Sequence, residues 1–144
     1  RHSTFTMKNQ RFNLEERLLD FAVSVIRIVD RMDKSDSGKH VGNQLMRAGT
    51  SPLFNQGEAQ SAESPKDFVH KMKICLKELR ETRRALLLIG KVPLIKDASS
   101  VQAALIETEE LIKIFFTSIR TAKSNMVQEE SPEYGESTLE SALS

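Results

Sequence analysis

Apolar residues return at helical spacing four times along this 144-residue chain, and the first of these segments carries an unusually wide apolar arc. Leu14, Leu18, Phe21, Val25, Ile28, Val29 and Met32 place helix one at about 14–33, with Asn13 as N-cap and Glu16 in the capping-box position. Leu19, Ala22, Val23 and Ile26 widen the stripe to about 220°, where a helix usually buries little more than ~100° in its own core. Such a helix needs a second burial partner, which argues for an oligomer.

The segments that follow are more ordinary. Asp33-Lys34-Ser35-Asp36-Ser37-Gly38 reads as a turn, so helix two begins near Lys39 or His40. Its inward side uses Val41, Leu45, Ala48, Gly49 and Pro52. Gly42 and Gly49 each cost a helix about 1 kcal/mol relative to alanine, which points to close approach by a neighbour. Pro52 removes a backbone hydrogen bond and predicts a kink. Ser64 caps helix three, with Pro65 at its first position and Asp67 in the first turn. Phe68, Met72, Cys75, Leu76, Leu79 and Leu86 form its core face, and Gly90 ends it. Beyond Pro93, Asp97 or Ser99 caps helix four, where Val101, Leu105, Thr108, Leu111, Ile112, Phe115 and Ile119 repeat. Ile114 and Phe116 exceed one face, and the helix is expected to fade near Lys123. Four amphipathic helices joined by short loops predict an all-α, antiparallel up-down-up-down four-helix bundle, roughly 30–40 Å long.

The net charge of +1 hides an asymmetry. All 21 lysines and arginines fall in residues 1–124, against 15 of the 20 acids, a net +6; residues 125–144 hold the other five acids, a net −5. Three parts follow: an extension over 1–12, the bundle over 13–124 and an acidic tail over 125–144. Arg1 to Thr6 read as a remnant ahead of a start at Met7. The tail, rich in Ser and Glu and broken by Pro132 and Gly135, is expected to be disordered. No apolar run reaches the ~20 residues of a membrane span, and the single cysteine suits a reducing cytoplasm. Trp is absent and Tyr occurs once, which argues against a stacking platform for single-stranded nucleic acid.

The stretch Gln44-Leu45-Met46-Arg47-Ala48-Gly49-Thr50-Ser51, continuing to Asn55 and Glu58, resembles the signature Q-L-x-R-A-x-x-S…N…E. That signature belongs to the four-helix-bundle family of proteins from 23S rRNA intervening sequences. Ser64-Pro65-Lys66-Asp67-Phe68 and Lys77-Glu78-Leu79-Arg80-Glu81-Thr82 are similar to two further family motifs, so the resemblance spans about residues 7–124. One departure is that Ser51 runs directly into Pro52-Leu53-Phe54, where the family often reads Ser-Ile-Pro or Ser-Ile-Gly. The resemblance implies a homopentamer, a ring with a central channel. The related accessory proteins of diversity-generating retroelements share this architecture, bind nucleic acid through basic surface and engage a reverse transcriptase.

On helix three, Lys66, His70, Lys73, Lys77, Arg80 and Arg84 fall within about 80° on a helical wheel, opposite the apolar face. One reading is that phosphates of RNA or an RNA/DNA duplex neutralise this row, without base readout, and that five copies multiply a weak contact. The other is a solvated face balanced by Glu78 and Glu81, or by acids of a neighbouring subunit. A second stripe, Gln44, Arg47, Ser51, Asn55 and Glu58, occupies a polar side of helix two. As a structural polar network it would join helices two and three, through Arg47 with Glu78 or Glu58 with Arg80; as a catalytic site it would need a concave pocket.

His2, His40 and His70 do not converge with Cys75 on one helix face, so no metal is expected. No phosphate loop, nucleophile elbow or His–acid pairing points to catalysis or a cofactor. The sequence therefore predicts a non-enzymatic nucleic-acid-binding bundle. Its rival is an adaptor that docks a protein partner, such as a reverse transcriptase or a ribosome-associated protein. The acidic tail is either a solubility appendage or a competitor for the basic row.

Overall fold

Ser35 starts the second helix earlier than the sequence suggested. Its side-chain oxygen accepts from the Gly38 N–H at 3.1 Å, which turns the supposed loop residues into the first helical turn. A computed structural model describes residues 13–130, which form helices α1 (Leu14–Arg31), α2 (Asp36–Gln60), α3 (Pro65–Lys91) and α4 (Ala98–Glu130). α1 packs against α2, α2 against α3 and α3 against α4, while a thinner contact joins α1 to α4. These are the neighbour relations of an up-down four-helix bundle. The cross-helix pairs run antiparallel: Arg47 meets Glu78 while Glu58, further along α2, meets the earlier Lys71.

Local signals explain most helix ends. Ser64 caps α3 by accepting from Asp67 N–H at 3.1 Å. Of the two candidate caps for α4, Asp97 does the work: its Oδ1 accepts from Ser99 N–H at 3.1 Å. Asn13 makes no side-chain cap; only its carbonyl enters the first backbone bond of α1, with Arg17 N–H at 2.9 Å. Gly90 does not terminate α3, which continues to Lys91, and the chain leaves through Val92 and a cis Val92–Pro93 bond. α2 runs continuously through Pro52.

The core is one cluster drawn from all four helices, with Leu18, Val25, Ile28, Leu45, Met72, Leu79, Leu86, Leu111 and Phe115 almost wholly buried. On α3, Val69 takes the buried place expected of Phe68, which packs only part-buried at the margin. The buried hydroxyls of Thr82 and Thr108 donate to the carbonyls of Glu78 and Ala104, so neither is left without a partner. Gly49 shows why glycine sits inside a helix here. A Cβ on it would lie 2.7 and 2.9 Å from the Val25 methyls of α1. Gly42 has no such need, since a Cβ there would meet Val29 at an ordinary 3.5 Å.

α4 passes the expected limit at Lys123 and reaches Glu130, about 50 Å at 1.5 Å per residue. The cause is a continuing apolar register: Ile119, Ala122 and Met126 follow at helical spacing, and Val127 is buried. The first residues assigned to the acidic tail are thus helical. The expectations for residues 1–12 and 131–144 lie outside the described residues.

Candidate nucleic-acid interface

The outward side of α3 is set by its inward one. With Met72, Leu76, Leu79 and Leu86 fixed in the core, helical geometry turns Lys66, His70, Lys73, Lys77, Arg80 and Arg84 to solvent, and all six are exposed. Among the described residues none of the six is in an ion pair. The two acids that were to balance them look elsewhere. Glu78 is buried in the α2–α3 seam, where its Oε2 accepts from Arg47 at 3.2 Å, and Glu81 lies 3.8 Å from the same guanidinium. Burial, followed by the neighbouring Glu81 charge, pushes the Glu78 carboxyl above its ordinary range, against the pull of Arg47.

The polar stripe on α2 does not form one network. Arg47 crosses to Glu78 of α3. Glu58 crosses too, but to Lys71 at 2.8 Å and not to Arg80; that carboxylate holds the Lys71 amine above the usual lysine range. Arg80 points to the opposite side of α3, where Glu58 cannot reach it. Asn55 donates within α2 to Ser51 Oγ at 2.9 Å, and Gln44 lines a small groove with Arg47, Glu81 and Arg84. Arg47 and Glu58, which an acid–base mechanism would combine, stand about 16 Å apart along the helix axis. Among the described residues no group of three His, Cys, Asp or Glu is placed to hold a metal. Cys75 is buried, its thiol pushed up to about 12 chiefly by desolvation, so it has no nucleophilic form near neutrality. Among the described residues no helix is long and apolar enough to cross a membrane.

Sequence reasoning missed the contribution of α4. Lys123 lies against Lys73 of the α3 row, and that contact, ahead of burial and like charge, holds the Lys123 amine below the usual lysine range. Arg120 places its guanidinium 5.8 Å from the centre of the half-exposed Phe116 ring. The signal was present, since positions 116, 120 and 123 share a helical side, but only the packing of α4 on α3 brings that side to the row.

The apolar surplus is also uneven. On α1, Leu19, Val23 and Ile26 are 50%, 37% and 40% exposed and form a single stripe at i, i+4 and i+7. On α4, Ile106 and Phe116 are exposed but stand about 80° apart on the wheel, and Ile114 is part-buried. α3 also exposes Leu87, Leu88 and the C-cap Val92 at its end, and α2 exposes Phe54, while on α1 the exposed apolar residues make a strip of three along the helix.

Residues 11–117 match the family model described as 23S rRNA-intervening sequence protein. The crystal structure of a protein of unknown function from the S23 ribosomal protein family of Bacteroides thetaiotaomicron has the same fold, with a TM-score of 0.68. The two are 27% identical, over 74% of this chain and 97% of that one. No curated protein matches the chain.

Proposed function

The chain belongs to the 23S rRNA-intervening sequence protein family, and from that premise we propose that it is a non-enzymatic, cytoplasmic homopentamer that binds RNA or RNA/DNA through the outer face of α3. The observation that carries this reading is the exposed row of Lys66, His70, Lys73, Lys77, Arg80 and Arg84, with the flanking Glu78 and Glu81 drawn toward Arg47 of α2. Unpaired cations at three- and four-residue spacing attract phosphates and release counterions, which gives sequence-independent affinity. Five copies in a ring would raise that affinity through effective concentration.

Titration with short RNA and DNA at two salt concentrations tests the reading. Affinity should fall steeply with salt, and the combined Lys73→Glu, Lys77→Glu and Arg80→Glu chain should lose it. Weak, salt-independent or absent binding would favour instead an adaptor docking a protein such as a reverse transcriptase or a ribosome-associated factor. Assembly is tested separately. The Leu19–Val23–Ile26 strip supports a contact between copies, so light scattering should give about five times the 16.3 kDa chain mass. Val23→Lys should reduce that mass; a wild-type monomer would remove the pentamer from the proposal.

A further inference from the structure

We infer that α3 and α4 together form a site for single-stranded nucleic acid, in which Lys73 and Lys123 clamp one backbone phosphate and Phe116 stacks an unpaired base. The inference rests on the nucleic-acid reading above and narrows it to one substrate class. Two contacts fix the register of the helices: Lys73 against Lys123, and Arg83 Nε against Glu109 Oε2 at 3.2 Å. Between these, the antiparallel register brings Phe116 level with the stretch of α3 from Lys77 to Arg80, and Arg120 with the stretch from Lys73 to Leu76.

Neither Lys73 nor Lys123 has a carboxylate partner among the described residues. Two adjacent amines of like charge repel. A phosphate oxygen between them converts that repulsion into two charge-assisted hydrogen bonds. The Phe116 ring is 49% exposed, with the Arg120 guanidinium 5.8 Å from its centre. A ring so placed offers a π-face to any base and leaves the charge to the backbone. In a duplex the bases stack on one another and present no free face, whereas an unpaired segment does. Phe116 and Lys123 are separated by about 10 Å along α4, a span that a few nucleotides cover. Composition argues against stacking because Trp is absent and Tyr rare; the placement of one phenylalanine beside the Arg120 guanidinium reverses that argument.

The test compares single-stranded and duplex RNA of about 12 nucleotides at low salt, using the full chain. The single strand should bind more tightly. Phe116→Ala should weaken it about 5-fold or more with the salt slope unchanged. Lys123→Gln should instead flatten the slope by about 0.7, and Lys96→Gln on the α3–α4 loop should change neither. Because the chain lacks Trp, Phe116→Trp adds a sole indole whose emission should be quenched by the single strand and not by the duplex. Equal affinity for both RNAs, or an unquenched indole with binding intact, overturns the site while leaving the nucleic-acid reading standing. A changed assembly mass in Phe116→Ala overturns it in favour of a contact between copies. No binding of either RNA overturns the underlying reading and the site together.

Discussion

Helix α3 has two polar edges that differ in kind. On the edge facing α2, Glu78 and Glu81 gather around Arg47, and Lys71 meets Glu58 at 2.8 Å. On the outer edge toward α4, Lys73 lies beside Lys123, and Lys77, Arg80 and Arg84 face solvent without an ion pair among the described residues. The contrast follows from solvent. In a seam where Glu78 is buried, an unpaired charge would lose its hydration with nothing in exchange, so the fold supplies a partner. On an open face water and salt screen like charges, and the cost of crowding them is a few tenths of a kcal/mol per pair. The inner edge therefore serves the fold, while the outer edge is left available for a polyanion.

That division can be broken most severely from outside. Reversing Lys73, Lys77 and Arg80 to Glu should lower RNA affinity about 100-fold or more, since several phosphate contacts become repulsions. The thermal midpoint should barely move, because no pair is lost; scanning calorimetry beside the binding assay checks both halves. Arg47→Ala should do the reverse. It leaves Glu78 and Glu81 facing each other in the seam and should cost about 1–2 kcal/mol in chemical denaturation, discounted because the arginine itself is largely exposed, with RNA binding retained.

Glu78 adds a smaller, pH-dependent effect. Its carboxyl is raised in the fold, so the folded chain holds that proton more tightly than the unfolded one. Its contribution is full below the ordinary value of 4.5 and is lost as pH rises through the raised value. Relative to Glu78→Gln, the native chain should thus become progressively less stable across that window, as denaturation at a series of pH values would reveal; a parallel profile would contradict the burial argument. The mildest change is expected at Lys123. Lys73→Gln should return its amine toward the usual lysine range, as an NMR titration of the side chain would report.

Much of the scaffold was legible because helices write themselves in short-range terms. The Ser64-Pro65 start and the stripe from Met72 to Leu86 needed only i, i+3 and i+4 spacing. Gly49 was legible as a close approach, although not the identity of Val25 as the residue approaching. Misreadings came where a local rule had a rival. Gly90 resembled a terminator, yet α3 continues past it; Lys123 resembled an end, yet Met126 and Val127 extend the buried stripe of α4. In the candidate site, the α3 row was visible, because a helix with a fixed core face has a fixed outer face. The partners of Glu58 and Lys123 were not.

Sequence alone thus determined four helices, their buried stripes and a cationic outer face on α3, all consequences of a 3.6-residue period acting within a single segment. Tertiary structure alone decided that Glu58 meets Lys71, that Arg47 draws both Glu78 and Glu81 inward, and that α4 brings Phe116, Arg120 and Lys123 beside the row. The reason is that register between helices is set by side chains far apart in the chain, such as Val25 closing on Gly49. No periodicity within one helix encodes how far it slides along the next.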